Sequence, residues 1–180
     1  GAKIMPEIAF CICGSFCNHK KTLAVLEQLV AAGYAVTPVL SENAVSFDTR
    51  FGRAADFVNS VETLTGREII CDIATAEAKI TGSGCRGAII CPCTGNTLAK
   101  LRHGVTDTSV TMAAKCLLRN DKPIVIALAT NDALGAAFEN IAALRNRKCF
   151  TFVPMSPDDP EKKPNSMICD FTSVKETADT

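Results

Sequence analysis

The 180-residue chain has no tryptophan, one tyrosine and two histidines. Broad aromatic binding platforms are therefore excluded. Acid–base chemistry centred near neutral pH has only His19 and His103 to draw on. Net charge is also lacking, with 19 basic residues against 19 acidic ones. That balance argues against a charge-driven nucleic-acid or membrane-surface role, because such proteins carry a basic excess. No apolar run approaches the roughly 20 residues of a membrane span. The N-terminal residues hold no long apolar region followed by a cleavage site, so no signal peptide is expected.

What is present in quantity is apolar surface and thiol. Apolar residues make up 47% of the chain, enough to exclude disorder. A chain of this length suits one domain with a proper core, residues 1–180, with neither an internal repeat nor a linker to a second domain. Ten cysteines are more than a core of this size needs as staples. Several stand in apolar, strand-like runs (Cys11, Cys13, Cys91, Cys149), where a free thiol packs as a small hydrophobe. A reduced, cytoplasmic protein is expected.

Along the chain, strand-like and helix-like segments alternate. Ile4 to Cys13 reads as a buried strand ending in Gly14-Ser15, and Leu23, Leu26, Leu29 and Val30 give the helical spacing that Gly33 stops. Ala35 to Leu40 is a second strand, and Ser41 to Arg50 is polar and irregular. Phe51 to Leu64 is helical, Glu68 to Cys71 a short third strand, and Thr75 to Lys79 a helical turn. The fourth strand, Ala88 to Cys91, breaks at Pro92 into the loop Thr94-Gly95-Asn96-Thr97, and a helix resumes at Leu98. Then come a helix from Val110 to Arg119, a β-branched strand from Pro123 to Ala129, a helix capped by Asp132 and reaching about Arg147, and a last clear strand, Cys149 to Val153. Pro154 to Asn165 holds four of the eight prolines and reads as a flap without regular structure, residues 154–166. The tail from Met167 adds a short strand and a final helical turn. The alternation predicts an α/β fold: a doubly wound parallel sheet with helices on both faces.

In such a sheet, ligands bind at the carboxyl ends of the strands, where helix starts offer unpaired N–H groups to an anion. Gly14-Ser15, Ser41 and Thr94 fall at that edge. Three hydroxyl-bearing loops fit a neutral, hydrogen-bonding cradle rather than one built on lysine. The turn at Gly14 carries neither a full G-x-G-x-x-G nor a GK[ST] loop, so it stands equally as an ordinary turn. Asn96 and Thr97 read as caps for the helix that follows. The pairs Cys11/Cys13 and Cys91/Cys93 would converge if their strands are neighbours. No C-x-x-C spacing is present, so packing rather than a metal centre is expected. His103 is either an acid–base group or a surface residue. Arg50 and Arg53 either fork onto a carboxylate or sit on a helix surface. The charged flap with Lys162 and Lys163 is either a lid or a solvated loop.

One stretch carries a family signature. Pro92-Cys93-Thr94-Gly95-Asn96-Thr97-Leu98-Ala99-Lys100, followed by Gly104-Val105-Thr106-Asp107, resembles the P-x-S/T-x-N-T-x-A-K…G-x-x-D pattern of the homo-oligomeric flavin-containing cysteine decarboxylases and their relatives. Thr49-Arg50-Phe51-Gly52, Thr130-Asn131-Asp132-Ala133-Leu134-Gly135 and Asp158-Asp159-Pro160 to Met167 narrow the resemblance to the family of dipicolinate synthase B subunits. The resemblance covers nearly the whole chain. It implies a single-domain Rossmann-like flavoprotein fold with strand order 3-2-1-4-5-6. It implies FMN held by Gly14, Ser15, Ser41, Thr94, Gly95, Asn96, Thr97 and Asn131. It further implies a partner, the synthase's A subunit, which binds NADP, a homo-oligomer (trimer or dodecamer), and a place in the cytoplasm of the mother cell during sporulation. The implied reaction is the NADP-linked oxidation of a dihydrodipicolinate-type precursor to dipicolinate, a small dicarboxylate, with His103, Arg50, Lys162 and Lys163 as candidate catalytic residues. A non-catalytic scaffold for the A subunit is the alternative. Two departures weigh against decarboxylation: no histidine stands in Thr75 to Lys79, and the family's P-A-M-N motif is replaced by Ala129-Thr130-Asn131-Asp132.

Overall fold

The computed structural model describes residues 6–180. In chain order the elements are β1 (Glu7–Ile12), α1 (His19–Ala31), β2 (Ala35–Leu40), α2 (Glu42–Ser46), α3 (Ala54–Thr65), α4 (Ile73–Thr81), β3 (Ala88–Cys93), α5 (Gly95–His103), α6 (Ser109–Leu118), β4 (Ile124–Thr130), α7 (Ala137–Arg145), β5 (Phe150–Phe152), β6 (Met155–Pro157), β7 (Met167–Cys169) and α8 (Val174–Asp179).

Four parallel strands run in the order β2-β1-β3-β4, and β5 joins the start of β4 in parallel. Parallel strands need coverage on both faces, which is why the residues of β1 to β4 are mostly apolar, with Glu7, Thr37 and Thr130 as the exceptions. All six residues of β3 are buried. Alternation along the strands divides the core in two. Ala9, Cys11, Ile90, Ile124 and Ile126 face one layer with residues of α4, α5, α6 and α7. Ile8, Phe10, Ile12, Ile89, Cys91 and Val125 face the other, with residues of α1, α3 and α8.

The expected order 3-2-1-4-5-6 is present, with one reduction. The third strand is not a strand: Ile70 makes a single parallel bridge to Val39 beside β2. Its N–H donates to the Pro38 carbonyl and its carbonyl accepts from Leu40 N–H. Asp72 then caps α4, receiving the Thr75 N–H at 2.8 Å, and the chain turns away before more pairs form.

Other boundaries differ for local reasons. Ser41 to Arg50 is not wholly irregular, because Ser41 caps the short helix α2. The fourth strand does not stop at Pro92. It runs to Cys93 with a register shift after Ile90 and a cis Cys91–Pro92 bond. The next helix starts at Gly95, not Leu98, and its cap is Thr94, not Asn96 or Thr97. Asp132 caps a turn by accepting the Ala136 N–H, and α7 begins only at Ala137. The flap is partly regular: Met155–Pro157 pairs antiparallel with β7, which pairs with the end of β4. Pro157 is tolerated because β6 is an edge strand. The short strand and final helical turn expected in the tail are β7 and α8.

Candidate functional site

Three helix starts meet at the carboxyl edge of the sheet, each capped by a hydroxyl. Ser41 Oγ accepts the Ala44 N–H at 3.1 Å, Thr94 Oγ1 accepts the Thr97 N–H at 3.3 Å, and Thr108 Oγ1 accepts the Thr111 N–H at 3.1 Å. Capping uses the hydroxyl oxygen as an acceptor; the Thr94 proton goes to Thr97 Oγ1 at 3.3 Å and Thr108 Oγ1 lies 2.8 Å from Thr111 Oγ1, so a ligand would have to compete for those protons. Glu42 ties two of these starts together by accepting the Ser109 N–H at 2.8 Å. Between them lies a cleft of about 250 Å³.

Of the residues expected from the sequence, Gly14, Ser41, Thr94, Asn96 and Thr97 line this cleft. A Cβ on Gly14 would stand 3.2 Å from the Cβ of Asn43, so the first turn packs closely against α2. Ser15 stays outside, and its hydroxyl accepts from the Asn18 amide at 2.9 Å. Gly95 and Asn131 line an adjoining cleft of about 470 Å³ between α5 and α7, together with Asn140; Asn96 lines both. Gly95 is required at its place, since a Cβ there would lie 2.9 Å from Thr130 Oγ1. The side-chain amide oxygen of Asn131 accepts from the hydroxyl of Ser166 at 3.3 Å, which ties it to the end of the flap.

The candidate catalytic residues do not join them. His103 is exposed at the last residue of α5, about 12 Å along the helix axis from its start. Arg50 is exposed, its guanidinium 4.9 Å from the centre of the Phe51 ring. Arg53 lines a separate small aromatic recess with Phe16, His19, Phe47 and Phe57. Lys162 and Lys163 are exposed on the flap, and Lys163 pairs with Asp158 at 3.4 Å.

Five further residues line the cleft beyond those expected from the sequence: Cys13, Glu42, Asn43, Lys100 and Thr108. Lys100 changes the character of the cradle, which is not lysine-free. Its ammonium pairs with Asp107 at 2.9 Å. Lys100 stands four residues after Asn96, so helical spacing placed it on the same face. Cys13 is the residue just before Gly14. Its thiol donates to Thr97 Oγ1 at 3.3 Å. A hydrogen bond from the Cys93 thiol holds Cys13 below its ordinary pKa, against the burial that pushes it up. Behind the turn, the His19 ring N–H donates to the Cys13 carbonyl at 3.0 Å and the ring stacks on Phe57 at 4.1 Å. Burial keeps the His19 pKa below its usual value, with the hydrogen bond to the Cys13 carbonyl opposing.

Rotatable hydroxyls, the first N–H groups of α5 and one ammonium suit a phosphate monoester. Amides of Asn96, Asn131 and Asn140 in the adjoining cleft suit a planar, hydrogen-bonding ring. The residues present therefore fit a mononucleotide such as FMN.

The model of the flavoprotein family matches residues 3–178. The chain belongs to the flavoprotein family. Within that family, it is 40% identical over 171 residues to the B subunit of dipicolinate synthase from Bacillus subtilis (strain 168), covering 95% of this chain and 86% of the relative. The crystal structure of the corresponding B subunit from Bacillus halodurans superposes with a TM-score of 0.87 at 34% identity, covering 97% of this chain and 89% of that one. The flavoprotein fold extends to the FMN-dependent cysteine decarboxylase SpaF, with a TM-score of 0.73 at 22% identity and coverage of 96% and 94%. Neither histidine of this flavoprotein chain lines either cleft.

Proposed function

We propose that this chain is the B subunit of a dipicolinate synthase. The observation that carries the reading is identity of 40% spread over 95% of the chain, with nothing of substantial length left unmatched. With an A subunit that binds NADP, it would oxidise a dihydrodipicolinate-type precursor to dipicolinate in the cytoplasm of the sporulating mother cell.

FMN is the proposed cofactor. Ser41, Thr94 and Lys100 would hold its phosphate, with Asn96, Thr97 and the turn at Gly14 beside them, and Gly95 and Asn131 would face the ring. When bound, the flavin supplies a two-electron acceptor. The chain's own residues bind, orient and exclude water. A dianionic substrate needs fixed cations, and Arg50 and Arg53 on the segment before α3, or Lys162 and Lys163 on the flap, are the groups that could pair its carboxylates. Exposed Phe47, Phe51, Leu134 and Phe138 supply apolar surface for a homo-oligomer, trimer or dodecamer.

A second reading is favoured by one observation: His103, Arg50, Lys162 and Lys163 all stand outside both clefts. On that reading the chain is a non-catalytic scaffold for the A subunit. Reconstitution separates the two. Purified A and B subunits are mixed with precursor and NADP, with and without FMN, and dipicolinate is followed. The proposal expects product from the pair far in excess of what the A subunit gives alone, with FMN raising it further. Equal activity from the A subunit without its partner would leave only the scaffold.

A further inference from the structure

The cysteine pairs have no part in the proposed function. Cys11 and Cys13 belong to the β1 segment and Cys91 and Cys93 to β3, its neighbour in the sheet. All are free thiols. Alternation keeps Cys11 and Cys13 on the α4–α6 face, and the irregularity in β3 after Ile90 puts Cys93 there too while Cys91 lies on the opposite face with Cys169.

One pair in this set is placed differently. After Ile90, β3 carries one residue more than β4 does, and past the paired stretch Ala9–Cys11 the ends of β1 and β3 stay joined by one backbone hydrogen bond. The Cys13 N–H donates to the Pro92 carbonyl at 3.2 Å, which sets Cys93 opposite Cys13 on the same core face, with the Cys93 thiol 3.5 Å from the Thr94 carbonyl. Adjacent strands run about 4.8 Å apart. That is inside the Cα separation a disulfide spans, roughly 4.4–6.8 Å. Cys13 also borders the cleft, with 1% of its surface exposed, whereas Cys11 and Cys91 border neither cleft and are wholly enclosed. Hydrogen bonding at that sulfur, from the Cys93 thiol above all, favours its thiolate, the nucleophilic form, against the burial that opposes it. Cys11, Cys85, Cys91, Cys93 and Cys169 are all pushed the other way, chiefly by burial or, for Cys93, by Cys13 itself.

We propose that Cys13 and Cys93 form a redox-active dithiol at the floor of the cleft, a site of oxidative modification that takes peroxide-class oxidants. The Cys13 thiolate attacks one oxygen of hydrogen peroxide, the O–O bond breaks, and hydroxide leaves to give a sulfenic acid at Cys13. The sulfur of Cys93, as its proton departs, attacks the Cys13 sulfur and displaces hydroxide. The sum is two thiols and one peroxide giving one disulfide and two waters, a two-electron oxidation. The disulfide has no S–H, so Thr97 loses the donor it now receives from Cys13.

The test uses the full reduced chain. It is treated with hydrogen peroxide under native conditions, alkylated in denaturant, digested and mapped by mass spectrometry. The expected result is a linked peptide joining Cys13 to Cys93, lighter by two hydrogens than the two thiol peptides together and lost on treatment with dithiothreitol. Cys17 is exposed and reports that the oxidant was active. Recovery of Cys13 and Cys93 as alkylated thiols while Cys17 is oxidised overturns the proposal. A Cys91–Cys169 or Cys11–Cys85 link in its place does the same. Cys93→Ser removes the resolving thiol, and dimedone should then label Cys13. An unlabelled Cys13 in the folded variant also counts against the pair.

Discussion

Asn96 is the side chain that both clefts share, and it is exposed and free of hydrogen-bond partners among the described residues. Replacing it removes a contact to ligand and nothing from the fold. Asn96→Ala should weaken FMN binding by about 0.5–1.5 kcal/mol, read by flavin fluorescence titration. Its unfolding free energy should stay within about 0.5 kcal/mol of the parent. Thr94→Ala should differ in kind. It removes the cap of α5 as well as a ligand hydroxyl, so stability should fall by about 1 kcal/mol in urea unfolding while FMN binding weakens too. Thr94→Ser keeps both functions. His19 offers a pH test. Burial sets its folded pKa below the ordinary 6.5, so the unfolded chain binds its proton first as pH falls. Stability is therefore full above about pH 6.5, declines below it, and stops declining from this source once pH passes the folded value. His19→Gln should flatten that part of the stability profile. Unchanged pH dependence would place the proton uptake elsewhere. At this scale Ser41 and Thr94 were legible because each follows a strand, and Thr108, between two helices, was not. Cys13 and Lys100 were not, because a thiol beside a glycine reads as core and a lysine in a helix reads as surface.

Among the elements, the contact between α5 and the end of β4 joins the two clefts. Gly95 opens that helix against Thr130, with room for no side chain between them. Gly95→Ala should destabilise by about 1–3 kcal/mol through crowding, although alanine is the better helix former. Thr130→Ala should return most of that loss, so a double-mutant cycle in urea should show strong coupling; additive losses would mean that the contact is slack. The same scale explains what was readable. The alternations of apolar run and helical period survive as the sheet and its covering helices. The third strand was overread because Ile69, Ile70 and Cys71 are apolar, yet Asp72 captures the chain for α4 after one bridge. Helix α2 was missed because five residues give no period, and β6 because prolines obscure a strand that only needs one free side.

Across the whole molecule, the clefts sit where both cores end. Starts of α2, α5 and α6 meet there, held by Ser41, Thr94 and Thr108 and linked by Glu42. A ligand bridging those starts binds only when strands β1 to β4 are in register, so it should stabilise the entire fold by mass action. At 100 times its Kd, a ligand adds about 2.7 kcal/mol. For a domain of this size each kcal/mol moves the unfolding midpoint by about 2–4 °C. FMN at that excess should therefore raise the midpoint by about 5–10 °C in a thermal scan. Riboflavin, which has no phosphate for Ser41, Thr94 and Lys100 to hold, should raise it much less at equal concentration. Asn96→Ala should need more FMN for the same shift. A midpoint that FMN leaves unmoved at every concentration would remove flavin from the cradle, and the same hydroxyls and lysine would then be left to bind the diacid itself.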